Sequence, residues 1–168
     1  AWTTNVGTIT SGGVLTARTT AGTGYVRATS GSLNGTATVT VIPAAVNKIV
    51  VTPNPATVAV GSNQQFTATA YDVYNNVITG VGYTWTTNVG AVSGTGLFTA
   101  QTTPGTGIVT AQSGSVSNFT NVNVIAGALD HIIVSPNPAN VVVGQVQQFI
   151  AVAYDAYNNP LTGISLTW

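Results

Sequence analysis

The side chains able to carry chemistry in this chain are few. The acids are Asp72, Asp130 and Asp155, the bases are Arg18, Arg27 and Lys48, and His131 is the one histidine; glutamate and cysteine are absent. Acid–base or nucleophilic catalysis needs several titratable groups gathered at one point. Asp72 and Asp155 stand 83 residues apart in matching sequence contexts, so they are one position repeated and not a pair. Zinc needs a cluster of cysteine and histidine ligands, and His131 has no such company. The expectation is a protein without catalytic residues or cofactor. Hard oxygen donors do occur together in two loops, Asp72, Asn75 and Asn76 in one and Asp155, Asn158 and Asn159 in the other. They are the calcium candidates, but calcium takes about six to eight oxygens, several of them carboxylate. With one carboxylate per loop, the expected role is to hold the turn by accepting from its own amides. Tyr71 and Tyr74 flank the first loop, where they could stack on surface glycans or cover the end of a domain. Asn34-Gly35-Thr36 and Asn118-Phe119-Thr120 have the N-x-[ST] form, making Asn34 and Asn118 the glycosylation candidates.

These residues are distributed by a repeat. Trp-Thr-Thr-Asn-Val-Gly occurs at Trp2 to Gly7 and again at Trp85 to Gly90, and Trp168 ends the chain. Each tryptophan lies 83 residues from the next. Pro53-Asn54-Pro55 returns as Pro136-Asn137-Pro138, and Gln64-Gln65-Phe66 as Gln147-Gln148-Phe149. The expected organisation is a second half-repeat over 1–43, a complete repeat over 44–126 and a first half-repeat over 127–168.

Composition narrows the class. Charged residues are 4% and the formal net charge is zero, so there is no electrostatic footprint for nucleic acid. No apolar run approaches the length of a membrane-spanning helix. Hydrophobic residues are 44%, with abundant Val, Ile and Thr, which suit half-buried strands. Gly, Ser, Asn and Pro cluster between the apolar runs, as turns require. Gln65 to Tyr71 is the clearest strand, with Phe66, Ala68 and Ala70 on one face. Val81, Tyr83 and Trp85 alternate in the next. Such short strands, with a turn after each, make an all-β two-sheet sandwich.

Thr57-Val58-Ala59-Val60-Gly61, Gln65-Phe66-Thr67-Ala68, Tyr83-Thr84-Trp85 and Gly96-Leu97-Phe98-Thr99-Ala100 resemble the bacterial immunoglobulin-like (Big) repeats of group 2. Asp72-x-x-Asn75-Asn76 and Thr79-Gly80 are similar to group 1, the invasin and intimin type. The resemblance covers the whole chain. It implies tandem immunoglobulin-like β-sandwich repeats in an extracellular, cell-surface protein, and it carries no catalytic residues.

The resulting expectation is a structural module of a filament, sheath, surface layer or stalk. Its partners would be neighbouring repeats or other copies of the same protein. The alternatives are the stalk of an adhesin that presents a distal tip, and a spacer or carbohydrate-binding module of a secreted enzyme. Trp2, Trp85 and Trp168, with Phe66 and Phe149, are the expected core aromatics. Each end segment holds half a sandwich and is expected to need further strands, from a longer array in preference to another copy. Thr67 and Thr69 become Ile150 and Val152 in the next copy, and Ala59 becomes Val142. Apolar residues on a face that should meet water make Val142, Ile150 and Val152 the candidates for lateral contact.

Overall fold

A computed structural model describes all residues, 1–168. Every regular element is a strand: β1 Trp2–Thr4, β2 Gly7–Ile9, β3 Leu15–Ala17, β4 Gly22–Ser30, β5 Leu33–Val41 and β6 Lys48–Thr52. There follow β7 Ala56–Ala59, β8 Asn63–Gln65, β9 Thr67–Tyr71, β10 Val77–Ile78, β11 Thr84–Thr87 and β12 Gly90–Val92. The last are β13 Leu97–Ala100, β14 Gly105–Ser113, β15 Val116–Ile125, β16 Leu129–Ser135 and β17 Ile150–Asp155. The 83-residue period is visible in them, since β1 to β5 reappear as β11 to β15. No helix is long and apolar enough to cross a membrane.

The chain packs as two compact units. One comprises Ala1–Val50, Ala68–Tyr83 and Gln112–Asn118; the other comprises Val51–Thr67, Thr84–Ala111 and Phe119–Trp168. In the first, β4 and β5 form a long antiparallel hairpin in which Ser30 pairs with Leu33, and β1 flanks β4. β9 and β10 form a second, shorter hairpin, with Tyr71 opposite Val77. In the second unit, the strand order is β11-β14-β15-β7 in one sheet and β12-β13-β8 in another. β7 runs parallel to β15, with Val122 opposite Ala56. All-β immunoglobulin-like packing is the architecture.

The core of the second unit is built on Phe66 and Phe98, both fully buried, their rings edge to face with centroids 5.9 Å apart. Val109, Val122 and Val124 are buried with them. Phe98 was not among the expected core aromatics, although its alternation with Ala100 places both on the inner face of β13.

The tryptophans take a different place from the one expected. Trp85 is half-buried, Trp2 is 42% exposed and Trp168 is 81% exposed. The reason is local. Gly96 has a positive φ of 82° and lies under the Trp85 indole, where a Cβ would come within 3.0 Å of the ring. Gly13, with φ 84°, lies in the same way under Trp2. The indole is a lid over a left-handed turn that only a residue without a side chain fills comfortably, and its outer face is wet. Beneath Trp168 this chain has no counterpart of that turn. Phe149 is half-buried for a related reason, because no strand of this chain stands over it as β13 stands over Phe66.

The same absence reshapes its neighbours. β7 and β8 are held by β15 and β13. Residues 139–148, which match them in sequence, form no strand, and Val142 is 75% exposed. That exposure follows from the missing ladder, so Val142 gives no support to a lateral contact.

Candidate functional site: the joints between repeats

The two oxygen-rich loops are folded alike. Asp72 follows β9, and the turn closes through Asn75 N–H to the Asp72 carbonyl at 3.1 Å and Asp72 N–H to the Asn76 carbonyl at 3.0 Å. Asn75 sits at φ 64°, in the left-handed region that asparagine tolerates. The second loop repeats this, with Asn158 at φ 62°.

Each aspartate is buried and surrounded by N–H donors. Asp72 Oδ1 accepts from Tyr74 N–H at 2.9 Å and Asn76 N–H at 2.8 Å. Its Oδ2 accepts from the Asn76 amide Nδ2 at 2.8 Å and from Ala44 N–H at 3.0 Å. Ala44 belongs to the connection that enters the middle repeat. Asn76 reaches further back. Its Nδ2 donates to the Thr19 carbonyl at 2.7 Å, and its Oδ1 accepts from Ala21 N–H at 2.9 Å. The carboxylate therefore ties together a turn, a connection and, through Asn76, a loop of the preceding copy.

Asp155 does the same one period later. Oδ1 accepts from Tyr157 N–H and Asn159 N–H, both at 2.9 Å, and Oδ2 accepts from Gly127 N–H at 2.8 Å. Asn159 Nδ2 lies 2.9 Å from Oδ2 and donates to the Thr102 carbonyl at 2.9 Å. Tyr157 closes over Gly61 so tightly that a Cβ there would meet the phenol.

Burial alone would raise the pKa of each carboxyl. For Asp155 the hydrogen bonds from the Asn159 side chain and the Gly127, Asn159 and Tyr157 amides outweigh burial and hold it down at about 2. Asp72 is lowered in the same sense, with burial opposed by Asn76, Ala44 and Tyr74. Both stay ionised at neutral pH, and their charge is met by N–H dipoles. The carboxylate lone pairs are turned to hydrogens, Asn76 Oδ1 to Ala21, and Asn75 Oδ1 to Lys48 Nζ at 2.9 Å. In the first loop a cation would have to displace these N–H donors to reach the oxygens.

The other candidates fall elsewhere. Lys48 Nζ lies 4.9 Å from the Tyr71 ring centroid, and in the next copy His131 stacks on Tyr154 at 5.5 Å while bonding Asp130 at 2.9 Å. The exposed outer faces of Tyr74 and Tyr157 leave both rings beside the joints. Asn118 donates its Nδ2, the atom a glycan would occupy, to the Ile49 carbonyl at 2.7 Å. Thr120 of the same triplet is fully buried and donates to the Pro53 carbonyl at 2.8 Å. Asn34 lies exposed on β5. Ile150 is 62% exposed and Val152 half-buried on the outer side of β17.

The fold has counterparts among known proteins. No family model matches the chain. The chain is 35% identical over 155 residues to Ice-binding protein 1 of Shewanella frigidimarina (strain NCIMB 400), a match that takes in 90% of this chain and 17% of that protein. In three dimensions it resembles InvD of Yersinia pseudotuberculosis, with a TM-score of 0.54 and 22% identity over 96% of this chain and 61% of that one. It also resembles FdeC, an Escherichia coli adhesin, with a TM-score of 0.59 and 20% identity over 85% of this chain and 53% of that one. At those identities the likeness establishes the fold, an immunoglobulin-like sandwich.

Proposed function

We propose that this chain is a structural module of a bacterial cell-surface protein, an extracellular series of Big-type repeats at 1–43, 44–126 and 127–168 whose work is mechanical. The observation that carries this reading is the twofold occurrence of the aspartate joint. Its only evident product is a hydrogen-bonded connection between one repeat and the next. The residues that resemble group 2 repeats lie in and beside β7, β8, β9, β11 and β13, and Asp72-x-x-Asn75-Asn76, which resembles group 1, lies in the turn after β9. The adhesin among the structural relatives supports a cell-surface setting, with either a stalk or a layer as the whole. Antibody labelling of intact cells, with the reach of the label measured as repeats are deleted or added, tests it. Reach that tracks repeat number is expected; an epitope buried inside the cell would end the reading.

A second reading has its own observation. The outer side of the β7, β14 and β15 sheet presents Thr57, Thr106, Asn121 and Asn123, all exposed and none charged. The relative named for ice binding lends this face interest as a surface that meets ordered water. Ice-recrystallisation assays on the chain separate the two, since a purely mechanical module leaves crystal growth unchanged.

Self-association between copies belongs to the same proposal. Ile133 stands opposite Val152 and Ser135 opposite Ile150 on the outer face of β16 and β17. The corresponding place in the middle repeat holds Thr52 and Thr67, whose hydroxyls bond at 2.8 Å. The double substitution Ile150→Thr, Val152→Thr is expected to lower the sedimentation coefficient at high concentration while leaving the melting temperature within a few degrees. Unchanged sedimentation would remove β17 from any lateral contact.

A further inference from the structure

The two joints differ in how the asparagine amide meets the preceding loop. In the first, the Asn76 amide grips the preceding loop both ways, donating to Thr19 and accepting from Ala21. In the second, Asn159 donates to Thr102. The residue aligned with Ala21 is Pro104, whose nitrogen carries no hydrogen, so the return bond is chemically barred. Asn159 Nδ2 instead lies near both oxygens of Asp155, at 3.1 and 2.9 Å, and Tyr157 rests on Gly61.

We propose that the residue at this position, Ala21 in one joint and Pro104 in the other, sets the stiffness of each joint. Two hydrogen bonds to one planar amide fix both its position and its rotation. In the second joint the Asn159 amide is held within its own turn by Asp155 and sends one bond to the preceding loop, which is left free to turn about that bond. The phenolic end of Tyr157 stands against Gly61 and limits approach there. The first joint is a clamp and the second a swivel with a stop. Alternation of alanine and proline at this position would grade the bending of the array along its length, whatever surface the array serves.

The absence of native cysteine allows clean labelling. Spin labels at exposed, equivalent positions, Thr8 with Thr79 across the first joint and Ala91 with Thr162 across the second, report the distance distribution at each in the full chain. The second distribution is expected to be the broader. Ala21→Pro should widen the first and Pro104→Ala should narrow the second. In Pro104→Ala the new amide at position 104 should exchange about fivefold more slowly than an unbonded amide, the effect of one net hydrogen bond. Should Ala21→Pro disturb its loop, the Pro104→Ala arm decides alone, because it adds a donor and removes only a ring. Equal widths in the native chain, or a Pro104→Ala distribution as broad as the native one, would overturn the proposal.

Discussion

Phe98→Ala is expected to unfold the second unit. The side chain is fully buried against Phe66, on a strand flanked by β12 and β8. Removing a buried phenylalanine costs about 3–5 kcal/mol, the sum of lost transfer energy and the cavity left behind. Domains of this size hold only about 5–15 kcal/mol in total, so the loss takes a large share. Circular dichroism melts should show the midpoint falling by well over about 10 °C, or no folded baseline at all. Trp85→Ala makes the informative contrast. The indole is half-buried over Gly96, so its loss should cost less than that of Phe98. A Phe98→Ala protein that melts like the native one would show that the core lies elsewhere.

The second large effect belongs to the carboxylates. Asp155→Ala removes the acceptor for the Gly127, Tyr157 and Asn159 amides at once, and Asp72→Ala does so for Ala44, Tyr74 and Asn76. Buried donors left without a partner are costly, so each joint should open while Phe66, Phe98 and their neighbours remain packed. Amide exchange should accelerate at Gly127 in the one variant and at Ala44 in the other, with the β4 and β5 ladder unchanged. Acid should reproduce the effect. Asp155 titrates at about 2 when folded, against an ordinary 3.8. A depressed folded pKa means that the unfolded state binds protons first, so the stabilisation is complete above about pH 4 and is lost as pH falls through about 2. The Gly127 and Tyr157 amide resonances should shift with that low midpoint. A midpoint near 4 would mean that the carboxylate is free of these bonds.

Much of this was legible in the chain itself. Alternation along 65–71 and 121–124 marked strands and their inner faces, because a half-buried strand exposes every second residue. Repetition of Trp-Thr-Thr-Asn-Val-Gly gave the 83-residue period. The short side chains of Asp and Asn, which bond their own backbone, marked residues 72–76 as a turn held from within. Large size, by contrast, was a poor guide to the core. Tryptophan was expected inside, yet Trp2 and Trp85 are lids, because their place depends on a glycine eleven residues further on that no periodicity connects to them.

Only the tertiary structure decided the rest. Residues 56–59 and 139–142 occupy the same place in the repeat and share Ala and Val at their first and third positions, yet one is a strand and the other is not, since a strand at an edge exists by virtue of the ladder offered to it. Val39 and Val41 are half-buried where Val122 and Val124 are fully buried, on matching strands, because burial requires an opposite sheet. The link from Asp72 to Ala44, and from Asn76 to Thr19, spans 28 and 57 residues. Local chemistry sets what an aspartate can accept, but which distant amides arrive to fill it is a matter of how the repeats close on one another.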